Sequence, residues 1–266
     1  MPEDGASLRA RSAEGATGVE VSRVGSLSGK VAIVTGSSSG IGKAIALRLA
    51  KDGAAVVVHY RTRAQQAGEV VAAIQEQGGT AWMIQADMSR ADEARRVISE
   101  TVARFGRLDI LVNNAGKFSP KSFLETTEAD FDALIGLHAK GPYFAMQEAA
   151  KVLSEHGRIV NITTAGTQLH FHGASAYLGS KRALEQFTKG IAQELAPRGI
   201  TVNAVSPGIT DTGVLTEQYR QIGLQGSPMQ RLGLPSDIAD VVAFLVSEEA
   251  RWLTGQTIQA GGGIVM

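Results

Sequence analysis

The chain has 266 residues, sets 26 basic side chains against 26 acidic ones, and contains no cysteine. Zero formal net charge argues against a nucleic-acid or membrane-surface binder driven by bulk charge, and the missing cysteines remove disulfides, thiolate zinc sites and cysteine nucleophiles together. No apolar run approaches the roughly 18 residues of a transmembrane helix, so the expectation is a globular protein of a reducing, cytoplasmic compartment.

Residues 1–28 carry few large apolar side chains and much Gly, Ser, Ala and charge. They predict a flexible or loosely docked arm, with a transit peptide as the weaker alternative. From Lys30 onward, β-branched runs at 30–35, 54–60, 80–86, 108–114, 157–163, 200–206 and 257–260 predict strands. The segments between them, such as 41–53, 65–79 and 92–106, repeat near 3.6 residues and predict helices. The strand runs are apolar almost throughout, as strands covered on both faces are. Alternating β and α at this spacing builds right-handed βαβ units. The expected fold for 29–266 is therefore a single α/β domain: a doubly wound, Rossmann-type sheet of about seven mostly parallel strands with helices on both faces.

The first strand runs through Thr35-Gly36-Ser37-Ser38-Ser39-Gly40-Ile41-Gly42 directly into a helix. Gly36 permits a sharp turn, Gly40 a close backbone approach to a ligand, and Gly42 the packing of helix on strand. The helix N-terminus then presents free N–H groups to a pyrophosphate. Gly36, Ser37, Ser38, Ser39, Gly40 and Ile41 are accordingly candidate cofactor contacts, against the alternative of a Gly-rich turn without a ligand. The second strand ends in His59-Tyr60-Arg61-Thr62-Arg63, without the acid that would favour NAD(H). Cations there can meet a 2′-phosphate, which favours NADP(H) and makes Tyr60 and Arg61 further candidates; NAD(H) stays open.

Tyr177 and Lys181 stand four residues apart and share a face if helical. A nearby ammonium stabilises a phenolate, so this Tyr can exchange a proton with a carbonyl or alcohol oxygen near neutrality. Thr164 lies thirteen residues before Tyr177, at the carboxyl end of a predicted central strand, where open α/β sheets bind ligands.

The strings TGSSSGIG (35–42), Asp87, NNAG (113–116), YLGSK (177–181), ITVNAVSPG (200–208) and LTGQTIQAGG (253–262) occur in order. With them the chain resembles the short-chain dehydrogenase/reductase family over about 28–266, and within it the 3-oxoacyl-carrier-protein reductases and the polyol or naphthol reductases. The resemblance implies hydride transfer between a nicotinamide and a carbonyl or secondary alcohol, with Tyr177 as acid/base and Lys181 and Thr164 assisting. It implies that Asp87 and Met88 meet the adenine. Asn114 would lie against the ribose in a turn continued by Ala115 and Gly116. Pro207 and Gly208 would wall the nicotinamide site, and Thr210 and Thr212 would hold the carboxamide. Residues from about 212 to 228 match a mobile cover over the substrate. Helices near 130–155 and 175–196 imply dimer pairing, and the last helix and strand a second interface, hence a homotetramer.

The chain departs from the family pattern in two places that bear on the chemistry. Thr164 replaces the usual Ser and keeps a hydroxyl, and His138 replaces an Asn whose carbonyl supports a proton relay. His138 either joins that relay or only fills the Asn volume. These changes motivate a second reading, a catalytically weak or inactive nicotinamide-binding regulator or scaffold. No metal is expected: His138, His170 and His172 lack accompanying acids or thiolates, and the latter two are read as pocket or rim residues. Trp82 and Trp252 are expected in the core or an interface, and 90–96 as a solvated helix face.

Overall fold

The computed structural model describes residues 27–169 and 171–265. The predicted arm thus lies outside the described residues but for Leu27 and Ser28. Leu27 is buried, and its amide donates to the Asp52 carbonyl at 2.7 Å.

Seven strands form one parallel sheet in the order β3-β2-β1-β4-β5-β6-β7. They are β1 (Val31–Val34), β2 (Ala55–Tyr60), β3 (Ala81–Gln85), β4 (Leu108–Asn113), β5 (Leu153–Ile162), β6 (Thr201–Pro207) and β7 (Thr257–Ala260). Valine and isoleucine dominate the central strands because both faces are covered. On one face, Ile45 and Leu49 of α1 (Gly40–Lys51) and Val242 of α8 (Pro235–Val246) pack over Val34, Val56 and Val112. On the other, Ile98 of α3 (Ala91–Phe105), Met146 of α5 (Gly141–Val152) and Leu184 of α6 (Ser175–Leu195) pack over Ile33, Leu111 and Ile159. The remaining helices are α2 (Ala64–Glu76), α4 (Glu128–Ile135) and α7 (Glu217–Gly226). Strand order reverses at the β1/β4 boundary, and the carboxyl ends of these two strands there border the crevice in which open α/β sheets bind ligands.

Three features differ from the sequence reading. β5 begins at Leu153 rather than 157, because Leu108 pairs with Leu153 before a register shift carries Ile110 to Arg158. The polar residues Ser154–His156 occupy that bulge and hide it from an apolar pattern. The helix expected near 130–155 is divided by a π-turn at Gly136–Lys140, which sets α4 and α5 apart. Close by, Gly141 meets the Met88 carbonyl so tightly that a Cβ would lie 1.7 Å from its oxygen. Trp252 is 95% exposed and so is not a core residue, whereas Trp82 stacks edge-on against Phe105 beneath the Arg104 guanidinium. No described helix is long and apolar enough to cross a membrane.

Candidate active site

The loop between β1 and α1 is shaped by three glycines. Gly36 and Gly40 adopt φ of 66° and 56°, a conformation side chains resist. A Cβ on Gly40 would stand 3.2 Å from Thr212 Cγ2, so the start of the 212–228 segment, and not only a ligand, crowds this glycine. On Gly42 it would fall 2.4 Å from both Asn114 Nδ2 and the Gly36 carbonyl oxygen. The third glycine therefore serves contact with the neighbouring loops rather than with a strand. Ser37 is buried; its hydroxyl donates to the Val34 carbonyl at 2.7 Å and accepts from the His59 amide at 3.0 Å. Ser38 is buried too, and Ile41 packs at the edge of the core. Ser39 precedes α1, whose first turn holds no acid, and its hydroxyl accepts from Arg63 Nη1 at 2.8 Å. Arg63 is thereby brought to the phosphate loop itself. Arg61 sits 3.9 Å from the Asp87 carboxylate, and Tyr60 packs half-buried on the core.

His59 went unnoticed in the sequence. Its Nδ1 accepts from the Gly36 amide at 2.8 Å, and its Nε2 lies 3.0 Å from the Ala86 carbonyl. Burial pushes the imidazole down to about 4, so the ring is neutral and donates through Nε2.

Asp87 and the β4 loop form the next wall. Burial works to raise the Asp87 carboxyl, but the Ser89 amide and hydroxyl, together with Arg61 and Arg90, hold it below its usual range. Met88 is buried in the core, with its side chain among α3 and α5. Asn114 clamps the phosphate loop: its side-chain amide donates to the Thr35 and Gly36 carbonyls at 2.8 and 3.2 Å. The backbone amides of Asn114 and Ala115 both donate to the Thr35 hydroxyl at 2.9 Å. Gly116 leaves little room, since a Cβ there would lie 3.3 Å from both His138 Nε2 and Lys181 Nζ.

Helix α6 carries Tyr177 and Lys181 to the crevice. Thr164 starts the 3₁₀ turn Ala165–Thr167 after β5, and its side chain favours the ionised form of the Tyr177 phenol. Thr167 in that turn donates to the buried Glu185 at 2.6 Å, which ties the turn to α6. Burial raises the Tyr177 phenol above its ordinary value, and the Thr164 side chain only partly offsets this. Lys181 is not among the groups that shift the phenol; its Nζ uses one of three donors on the Ile162 carbonyl at 2.8 Å. Burial also pushes Lys181 down to about 8.

His138 sits in the π-turn with its ring edge-on to Tyr177, centroids 5.5 Å apart. The Lys117 amide donates to Nε2 at 3.0 Å, so Nδ1 carries the proton toward the Ser180 hydroxyl at 2.9 Å. Ser180 in turn donates to the Tyr177 carbonyl at 2.6 Å. Burial and Lys181 push this imidazole down to about 2. Both ring nitrogens are thus occupied, and the ring bridges the Gly116 loop to α6. Phe118 stands in T-shaped contact with Tyr177 at 5.1 Å and with Tyr219 of α7 at 5.3 Å. Phe118 lies 59 residues from Tyr177 and 101 from Tyr219, so neither contact carried a local signal.

The last wall runs from β6. Gly208 passes so close to Gly261 that a Cβ would lie 2.7 Å from its Cα, next to Pro207 at the strand end. Thr210 donates to the Gly208 carbonyl at 3.1 Å and bridges to Gly233. The 212–228 segment holds α7. Phe171 packs against Gly166, His172 is exposed, and His170 lies outside the described residues. Among the described residues no cluster of metal ligands exists. The phosphate loop with its open helix N-terminus, the basic pair beside it and the Tyr177–Thr164–Lys181 group at the other end fit a phosphorylated dinucleotide laid along the crevice.

A family model described as Enoyl-(Acyl carrier protein) reductase matches residues 36–265. An uncharacterized oxidoreductase of Methylorubrum extorquens is 46% identical over 248 residues, 90% of this chain and 98% of its own. The 3-oxoacyl-[acyl-carrier-protein] reductase FabG of Staphylococcus aureus is 39% identical over 242 residues, 89% of this chain and 98% of its own. Among solved structures, the angucycline C-6 ketoreductase LanV with bound NADP superposes with a TM-score of 0.86 at 41% identity, covering 91% of this chain and 98% of its own.

Proposed function

The chain belongs to the short-chain dehydrogenase/reductase family, and from that premise we propose that it is an NADP(H)-dependent oxidoreductase interconverting a carbonyl and a secondary alcohol. The observation that supports this reading is the placement of Tyr177 and Lys181 one turn apart on α6, with Lys181 Nζ donating to the Ile162 carbonyl at 2.8 Å at the end of β5, two residues before Thr164. NADP(H), when bound, supplies or takes up the hydride.

Thr164 hydrogen-bonds the substrate oxygen and fixes it against Tyr177. Tyr177 gives its proton to that oxygen in reduction and removes one in oxidation. Lys181 holds the Ile162 carbonyl with one donor and offers its remaining donors to the nicotinamide ribose. Arg63 and Arg61 meet the 2′-phosphate, and the Gly36–Ile41 backbone meets the pyrophosphate. Asp87 and Asn114 border the adenosine, and Pro207 through Thr212 border the nicotinamide. LanV, a ketoreductase holding NADP, supports the cofactor choice. Phe118, Tyr219 and Phe171 give the substrate side an aromatic wall, which favours ring ketones over straight chains.

The regulator reading loses its motive in this geometry. Thr164 retains the polarising hydroxyl, and the His138 ring supports the loop that faces Tyr177. The assay is NADPH consumption by the purified chain with ring ketones, quinones and 3-oxoacyl thioesters. NADPH binding without turnover of any of them would restore the regulator.

The reading includes a homotetramer and a cytoplasmic location. Exposed Tyr143 and Val152 on α5, Phe244 on α8 and Trp252 before β7 support association, and the cysteine-free sequence suits a reducing compartment. A monomer mass in light scattering at micromolar concentration would remove the tetramer.

A further inference from the structure

His59 is a buried titratable residue that the proposed chemistry does not use. The β1–β2 ladder ends at the Val34–Val58 pair, where β1 turns away to form the phosphate loop. Beyond that point His59 takes over the pairing. Its carbonyl accepts from the Ser37 amide at 3.0 Å, its amide donates to the Ser37 hydroxyl at 3.0 Å, and its ring accepts from the Gly36 amide at 2.8 Å. The opposite ring nitrogen reaches the Ala86 carbonyl, immediately before Asp87.

The polarity of this bridge is fixed by its ends. A backbone amide can only donate and a carbonyl can only accept, so Nδ1 must be bare and Nε2 must carry the proton. Protonating Nδ1 would set two donors face to face. Around the ring, Asp87 and Glu93 favour the charged form, while Arg96 and, above all, burial oppose it. The Gly36 amide is partly buried, and an amide shielded from water without a partner is costly.

We propose that His59 is a positioning residue for the dinucleotide. Its ring spans from the phosphate loop to the Asp87 end of β3 and so sets the separation between the pyrophosphate subsite and the adenine subsite. The inference rests on the reading that this crevice takes NADP(H).

The test uses the full-length chain with two substitutions. His59→Asn keeps an acceptor for Gly36 but cannot reach Ala86; His59→Leu loses both bonds. The readouts are the Kd for NADP⁺, hydrogen exchange of the peptide spanning 35–42, and the split between KM for NADPH and kcat. Expected are a Kd raised at least tenfold in His59→Leu and about threefold in His59→Asn, with faster exchange over 35–42 graded in the same order. KM for NADPH should rise by a larger factor than kcat falls. Unchanged exchange over 35–42 in His59→Leu would overturn the proposal, as would a kcat loss exceeding the KM change. Should His59→Leu fail to fold, wild-type NADP⁺ affinity in His59→Asn alone would overturn it. If the wild-type chain binds no NADP⁺, the cofactor reading fails instead, and exchange over 35–42 still decides whether His59 sets the loop.

Discussion

Tyr177 packs edge-on against Phe118, ring centroids 5.1 Å apart, so the fold holds the phenol by its ring. Tyr177→Phe keeps the ring and its contact with Phe118 but removes the proton. A loss of about 10²–10⁴-fold in kcat is expected, with the Kd for NADPH within about threefold of wild type. Steady-state kinetics alongside a fluorescence titration separates the two; activity above a tenth of wild type contradicts the role given to the phenol.

The basic pair is unequal. Arg63 already bonds Ser39 in the phosphate loop, while Arg61 leans toward the Asp87 carboxylate. Arg63→Ala is therefore expected to weaken NADPH more than Arg61→Ala does. A lost charge-assisted phosphate contact is worth about 1.5–3 kcal/mol, roughly ten- to a hundredfold in Kd. Affinity for NADH should hardly move. Equal losses for both cofactors would place Arg63 outside the 2′-phosphate subsite.

Lys181 costs the fold stability. Burial depresses its folded pKa to about 8 from an ordinary 10.5, so the unfolded chain binds the proton more tightly. The penalty is full below pH 8 and disappears as pH rises toward 10.5. Lys181→Met should abolish turnover yet gain roughly 1–3 kcal/mol in denaturant unfolding at pH 7, with the gain fading above pH 10. A destabilised Met variant at pH 7 would mean that the Ile162 bond outweighs the desolvation.

His138 works in the opposite pH range. Its folded pKa is lowered to about 2, whereas the unfolded imidazole takes up a proton near 6.5. Stability from this ring is complete above pH 6.5 and declines as pH falls below it, by at most about 1.4 kcal/mol per pH unit. His138→Asn should flatten the stability–pH curve between pH 6.5 and 4, read from urea midpoints at each pH. Parallel curves would mean that the ring is protonated in the folded chain.

The sequence made the sheet legible because valine-rich runs and glycine turns are local. Thr35–Gly42 announced its loop, and Tyr177 and Lys181 announced their shared face through spacing alone. What escaped were relations across the chain. His59 reads as an ordinary strand residue until β3 brings Ala86 beside it. Phe118 and Tyr219 meet only when α7 folds over the crevice. Gly136–Lys140 has the composition of plain helix, so nothing in it announced a π-turn. The Tyr177 phenol shows the same limit: spacing placed Lys181 one turn away, but the burial that raises the phenol is tertiary.

That wide turn has a genetic consequence. A five-residue π-turn is an α-helix with a single surplus residue. Deleting one codon between Gly136 and Lys140 would let α4 and α5 fuse into one regular helix, re-aiming the residues inside the former bulge while the flanking faces keep their bearing. The imidazole would leave both Lys117 and Ser180, while the side chains of α5 would still face the sheet. Point substitutions should thus be tolerated in this stretch far more often than any change in its length.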